Sequence, residues 1–247
     1  MLQSSLPFCA FILAGGLGER LRPVVADRPK PLAMIGDTPF LQILVRLLAD
    51  RGVKDFVLLT GYMSEMIEEH FLGEPSDGLN IRISREPEPL GTGGAVKLAE
   101  SFATDPTLLV NGDTYLDCDL RALWAFHRDK AAAVTLSLRQ VDDVSRYGCV
   151  AVNHDGFVIG FTEKQEGAVR PGLINAGVSL FSRDLIERLP AGRAFSMEKE
   201  IFPSLAKSGK MAGLRQDGDF FDIGTPDSYE DFKEFIRTSP AYLHHRK

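Results

Sequence analysis

Short apolar runs alternate with amphipathic stretches through the first half of the chain. Residues 8–13 form an unbroken apolar run that predicts a buried strand. Thr38 can cap a helix with Pro39 at its first position, and Phe40, Leu41, Leu44, Val45, Leu47 and Leu48 share one apolar face that runs up to Gly52. Residues 56–60 repeat the strand pattern. Residues 64–71 predict a short helix with Ser64 as its cap, 81–84 alternate like a strand, 94–102 predict a helix, and 107–110 are fully apolar. Strand and helix thus alternate as βαβαβαβ, which calls for a mostly parallel sheet covered on both faces.

The second half is richer in strands. Residues 133–138, 149–152, 158–161, 177–181 and 211–214 fit short strands, and Asn153-His154-Asp155-Gly156 fits a hairpin turn between two of them. Thr225-Pro226 opens a last amphipathic helix carrying Tyr229, Phe232, Phe235 and Ile236. No stretch has linker composition, so residues 1–240 are expected to form a single α/β domain. Its first half would face a nucleotide and its second half would be more antiparallel, with residues 241–247 a loose tail.

Composition narrows the function. The chain has 247 residues, a net charge of −6, 44% hydrophobic and 25% charged residues, which suits a soluble fold and disfavours nucleic acid or an anionic membrane as partner. Any anionic substrate needs a local cationic pocket. The three cysteines, Cys9, Cys118 and Cys149, are far apart and fit reduced thiols. No apolar run approaches the roughly 20 residues needed to span a bilayer. No basic segment precedes residues 8–13, so a secretory leader is not expected and a cytoplasmic location is.

Four segments carry candidate chemistry, and each alone also fits a plain turn. Leu13-Ala14-Gly15-Gly16-Leu17-Gly18-Glu19-Arg20-Leu21-Arg22-Pro23 follows the first strand, and Pro29-Lys30-Pro31 comes soon after. Glycines let backbone N–H groups approach phosphate oxygens, and Arg20 with Lys30 would neutralise their charge. The flanking prolines stiffen the stem that carries Lys30. The spacing is neither that of a dinucleotide-binding turn nor that of a P-loop. Leu90-Gly91-Thr92-Gly93-Gly94-Ala95 enters a helix, with Glu86 just upstream. A carboxylate there accepts from N1–H and the exocyclic amine of guanine, or from N3–H of uracil or thymine. Asn111-Gly112-Asp113 and Asp222-Ile223-Gly224 each end an apolar run with an aspartate, where open α/β sheets place their ligands. Two such carboxylates suit Mg²⁺ that completes its shell with substrate phosphates.

Together these motifs resemble the sugar-1-phosphate nucleotidylyltransferases over essentially the whole chain. Residues 13–23 and Pro29-Lys30-Pro31 match the family's opening signature, with Glu19 where threonine is usual. Asp222-Ile223-Gly224-Thr225-Pro226 matches its second aspartate motif, with Phe221 where tryptophan is common. Glu163-Lys164 and Asn175-Ala176-Gly177 match its E-K and N-A-G motifs. Residues 24–33, 39–41, 60–62 and 88–95, with Arg146-Tyr147-Gly148, look most like the guanylyltransferases acting on D-glycero-α-D-manno-heptose 1-phosphate. Uridylyltransferases for N-acetylmuramate 1-phosphate and guanylyltransferases for mannose 1-phosphate share much of this pattern.

The resemblance implies a Rossmann-like nucleotidyltransferase fold and the transfer of a nucleotidyl group, GMP first among candidates, from a nucleoside triphosphate to a sugar 1-phosphate. Such activated sugars supply surface glycans. It implies catalytic roles for Arg20, Lys30, Asp113 and Asp222, with Mg²⁺ on the two aspartates. Leu13, Gly15, Gly16, Gly18, Glu86, Gly91 and Thr92 would bind the nucleotide; Gly148, Glu163, Lys164 and Asn175 would bind the sugar phosphate. A homodimer is compatible with it, and a β-helical acyltransferase domain, carried by some relatives, is not expected. A catalytically silent nucleotide-sugar-binding relative is the contrasting class, but such a protein can lose Arg20, Lys30, Asp113 or Asp222, and this chain has all four.

Overall fold

The apolar runs of the first half become four parallel strands. A computed structural model describes residues 5–72, 78–162 and 169–239. In chain order it has β1 (Ala10–Ala14), β2 (Met34–Ile35), β3 (Thr38–Pro39), α1 (Phe40–Asp50), β4 (Asp55–Thr60), α2 (Ser64–Leu72), β5 (Asn80–Arg85), α3 (Gly91–Leu98), β6 (Thr107–Asn111) and β7 (Thr114–Leu116). Then come α4 (Leu120–Lys130), β8 (Val134–Val141), β9 (Cys149–Val152), β10 (Val158–Thr162), β11 (Gly172–Phe181), α5 (Arg183–Arg188), a π-helical turn (Met197–Ile201), α6 (Phe202–Lys207), β12 (Met211–Arg215), β13 (Phe220–Asp222) and α7 (Pro226–Thr238).

One nine-stranded sheet crosses both halves in the order β5-β4-β1-β6-β11-β8-β12, with the β9–β10 hairpin joined to the start of β11. β5, β4, β1 and β6 run parallel, and β11 is antiparallel to β6 and β8. The pairing of β11 with β8 shifts register between Asn175 and Ser179, so its first half meets β9 and its second half meets β6. Two short antiparallel ladders, β2–β3 and β7–β13, lie outside the main sheet.

Period-2 alternation sends successive side chains to opposite faces. Ala10, Ile12 and Ala14 join the core under α1, α2, α4 and α7, whereas Cys9 and Phe11 join the core under α3, α5 and α6. Helices therefore cover both faces, as the continuous apolar strands require. Phe11, Phe40, Phe56 and Phe232 are fully buried, and each such side chain stabilises the fold by roughly 1.5–3 kcal/mol.

Several local expectations are corrected. Thr38 and Pro39 do not open α1 as cap and first residue. They pair with Met34 and Ile35 as β3, and the Phe40 N–H donates to the Ala33 carbonyl at 2.9 Å, which satisfies the donor a side-chain cap would have taken. Ser64 lies inside α2, where its hydroxyl donates to Glu68 Oε1. The third helix starts at Gly91, three residues ahead of the expected position, and breaks into a 3₁₀ turn over Glu100–Phe102. The expected strand at 177–181 begins at Gly172. The turn at 153–156 is as expected: Asn153 Oδ1 accepts from the Asp155 and Phe157 N–H groups. Cys9, Cys118 and Cys149 are free; burial pushes the Cys9 and Cys118 thiols up to about 12, which suits inert packing.

Candidate active site

The chain leaves β1 toward β4 on one side and returns through α3 to β6 on the other. This makes a switch point between β1 and β6, where the carboxyl ends of parallel strands leave a crevice. A cleft of about 1080 Å³ opens there. Of the residues assigned from sequence, Leu13, Gly15, Gly16, Gly18, Arg20, Lys30, Glu86, Gly91, Thr92 and Asp113 line it.

The Glu86 carboxylate forms one wall. Its Oε2 accepts from the Leu90 N–H at 2.7 Å. A Cβ at Gly15 would press on its Oε1, so a larger residue there would push this carboxylate aside. Burial pushes the Glu86 carboxyl above its ordinary range, and the Leu90 N–H partly offsets this. Its N–H donates to the Thr60 carbonyl, which ties the β5 exit to the end of β4.

The glycines at the start of α3 also serve packing. A Cβ at Gly91, where φ is +68°, would meet the Phe195 carbonyl at 2.6 Å, and one at Gly93 would strike the Phe195 ring. The Gly93 N–H donates to the Phe195 carbonyl, so the segment before the π-helical turn is packed onto the opening of α3. Thr92 Oγ1 donates to Glu198 Oε2 at 2.8 Å and accepts from the Met197 N–H at 2.9 Å. Glu198 also lines the cleft. Nothing in the sequence pattern marked it, because its link to Thr92 spans 106 positions.

The charged groups meet at the other wall. Lys30 Nζ lies 2.6 Å from Asp113 Oδ2, and the Lys30 side chain is only 10% exposed. Asp222 stands opposite Thr114 in the β7–β13 ladder, and the Ile223 N–H donates to the Asp113 carbonyl at 3.0 Å. Two aspartates 109 positions apart are thereby neighbours. Asp222 Oδ1 accepts from the Gly224 N–H at 2.7 Å, and Oδ2 accepts from Arg146 Nη2 at 3.3 Å. Arg20 Nη2 comes within 3.1 Å of where a Gly224 Cβ would stand. This donor set fits a divalent cation that takes its remaining ligands from phosphates and water. Among the described residues no cluster of three or more His, Cys, Asp or Glu forms a closed metal cage.

Gly148 and Asn175 meet each other: the Asn175 N–H donates to the Gly148 carbonyl at 3.3 Å, and Asn175 Oδ1 accepts from the Gly177 N–H. They sit at the register shift of β11, outside the lining of the main cleft. Glu163 and Lys164 lie outside the described residues. Arg146 was noted in sequence only as part of a matching segment; the structure places it on Asp222. Burial and the Asp222 charge push the Tyr147 hydroxyl up against the pull of Arg146 and Arg20, so all four groups share one neighbourhood.

The glycine loop that carries Arg20 and the Lys30–Asp113 pair at the switch point suit the phosphates of a nucleotide. Residues 9–239 match the nucleotidyl transferase family, and the chain belongs to it. Among its relatives, the D-glycero-alpha-D-manno-heptose 1-phosphate guanylyltransferase of Campylobacter jejuni subsp. jejuni serotype O:2 is 39% identical over 223 residues, covering 90% of this chain and 97% of that protein. The protein of the same name from Aneurinibacillus thermoaerophilus is 40% identical over 221 residues, covering 89% and 94%. The crystal structure of HddC from Yersinia pseudotuberculosis has a TM-score of 0.83 at 34% identity and covers 93% of this chain and 99% of that one; HddC has also been solved complexed with GMP-PN.

Proposed function

We propose that this protein transfers GMP from GTP to D-glycero-α-D-manno-heptose 1-phosphate, giving GDP-heptose and pyrophosphate. One observation carries the reading: Lys30, paired with Asp113, and Arg20 line one wall of a cleft whose other wall is the Glu86 carboxylate, and the bond from the Ile223 N–H to the Asp113 carbonyl sets Asp222 next to that wall. The heptose 1-phosphate guanylyltransferases at 39% and 40% identity, nearly full length on both sides, support the substrate pair.

In this reading the sugar 1-phosphate oxygen attacks the α-phosphorus in line, the bond to the bridging oxygen breaks, and pyrophosphate leaves. The nucleophile is already an anion, so the protein's task is positioning and charge neutralisation rather than proton removal. Arg20 takes the β- and γ-phosphates and Lys30 the α-phosphate. Glu86 Oε1 accepts from the guanine edge while the Gly15-Gly16 backbone and the start of α3, with Leu13, Gly18, Gly91 and Thr92, hold the nucleoside. Mg²⁺ on Asp113 and Asp222 would supply charge neutralisation on the reacting phosphates. Gly148, Asn175, Glu163 and Lys164 hold the sugar phosphate. A cytoplasmic location and a homodimer are both compatible with this reading. Among the described residues no helix is long and apolar enough to cross a membrane.

A second acceptor is favoured by one finding: a mannose-1-phosphate guanylyltransferase from Mycobacterium tuberculosis is 37% identical over 244 residues, 96% of this chain and 68% of that protein. The deciding experiment measures pyrophosphate release with Mg²⁺, crossing four nucleoside triphosphates with heptose, mannose, glucose and N-acetylmuramate 1-phosphates. Release with GTP and the heptose phosphate is the expected result. Release confined to another pair reassigns the substrate, and release with none overturns the catalytic reading.

A further inference from the structure

Lys30, which pairs with Asp113, has a counterpart in Arg146, which pairs with Asp222. Arg146 lies on the segment between β8 and β9, two residues ahead of Gly148. Its Nη2 reaches Asp222 Oδ2 at 3.3 Å and Thr225 Oγ1 at 3.4 Å, and the guanidinium lies 5.6 Å over the Tyr147 ring. Both hydrogen bonds are long for a charge-assisted pair, which normally closes to about 2.7–2.9 Å. Arg146 Nε is buried and has no partner among the described residues. The side chain is 37% exposed, against 13% for Asp222. A buried donor left unpaired is unfavourable, so this fork is held only in part by its contacts with the described residues.

The arrangement mirrors the pair on the nucleotide side. Asp113 is neutralised by Lys30 and Asp222 by Arg146, each aspartate by one cation of the chain itself. Gly148, whose carbonyl bonds to Asn175, continues from Arg146 into the region proposed for the sugar phosphate. A planar fork with several N–H donors matches phosphate oxygens better than it matches one carboxylate oxygen at 3.3 Å. A guanidinium on Asp222 also repels a dication at that carboxylate.

We propose that Arg146 is a cation for the acceptor: it neutralises Asp222 in the substrate-free site and transfers its hydrogen bonds to the phosphate of the sugar 1-phosphate. The proposal rests on the sugar-1-phosphate reading above. It predicts effects of opposite sign from a single substitution. Removing the guanidinium relieves competition for Asp222, so Mn²⁺ binds the substrate-free protein more tightly. The same change removes a ligand to the acceptor, so the acceptor binds less well.

The test compares wild type, Arg146→Ala and Arg146→Lys by Mn²⁺ titration followed by electron paramagnetic resonance without substrates, and by steady-state kinetics with GTP and heptose 1-phosphate. Arg146→Ala is expected to tighten Mn²⁺ roughly threefold. It is expected to raise the acceptor KM on the order of tenfold with KM for GTP unchanged. Arg146→Lys keeps the charge but not the fork; it holds Mn²⁺ near the wild-type affinity and recovers only part of the acceptor KM. Mn²⁺ binding that is unchanged or weaker in Arg146→Ala overturns the proposal, as does a KM rise shared by GTP. Absence of turnover by the wild type would overturn the proposed function instead, and the Mn²⁺ titration would still decide whether Arg146 occupies Asp222.

Discussion

Glu86 owes its chemistry to its surroundings. Burial raises its carboxyl above the usual range, whereas a guanine edge that donates two hydrogens needs the ionised form. The sign follows: GTP binding is complete above the raised value and falls as pH drops through it. The acid limb in kcat/KM for GTP should therefore lie above the ordinary glutamate range, and Glu86→Gln should remove it while blunting the preference for GTP over ATP. A variant that keeps both the limb and the preference would take Glu86 out of base recognition. Asp113→Asn isolates the other wall, because it keeps side-chain shape and loses the charge that pairs with Lys30. It should lower kcat by about two orders of magnitude or more with an unchanged far-ultraviolet spectrum, since charge stabilisation in a dry site is worth several kcal/mol. Lys30 could be singled out in sequence by its flanking prolines, Asp113 by its place at the end of an apolar run, and Glu86 by its place just upstream of a glycine-rich helix entry. Arg146 and Glu198 could not, because their partners stand 76 and 106 positions away and no local pattern encodes that distance.

The strands and helices that hold these side chains differ in how plainly the chain announces them. β1, β4 and β6 are continuous apolar runs because both of their faces are covered, and α1 has an apolar face from Phe40 to Leu48. α4 buries only Leu120, Leu123 and His127, so its periodicity is weak and its start rests on the Asp119 side chain accepting from Arg121 and Ala122 N–H groups. β7 and β13 have three residues each and exist only as a pair, so neither is visible alone. That pair nevertheless aligns the aspartates. It is backed by α7 through an aromatic cluster in which Phe232 lies 5.2 Å from Tyr115, 5.4 Å from Phe221 and 5.2 Å from Phe40. Phe232 is fully buried, so Phe232→Ala should cost about 3–4 kcal/mol, read as a lower urea midpoint. Because the lost ring braces β13, kcat should fall under conditions where the variant is fully folded, while KM for GTP changes little. Unchanged kcat in the folded variant would show that β13 holds Asp222 without α7.

The molecule as a whole brings β1 and β13, more than two hundred positions apart, to one region. The nucleotide wall is built from β1, β4, β5 and the start of α3, all within the first hundred residues, whereas Asp222 arrives from β13. The two meet through the hydrogen bond from the Ile223 N–H to the Asp113 carbonyl and through Gly224, which lines the cleft beside Arg20. With a net charge of −6, the chain needs local cations for any anionic ligand; Arg20 and Lys30 line the cleft, and Arg146 sits on Asp222 next to it. This joint predicts an order of protection in amide hydrogen exchange. GTP alone should slow exchange at Gly16, Gly18 and the first turn of α3, since those amides border the nucleotide wall. Adding Mg²⁺ and heptose 1-phosphate should extend protection to Ile223 and Gly224, whose N–H groups bond to Asp113 and to Asp222 itself. Local opening there competes with ligand binding, so protection should rise with ligand concentration as linkage requires, by about 2.7 kcal/mol at a hundredfold excess over Kd. Asp222→Asn should abolish the second stage and leave the first intact. Protection of Ile223 and Gly224 by GTP alone, to the same extent, would mean that the nucleotide closes the joint without the acceptor or the paired aspartates.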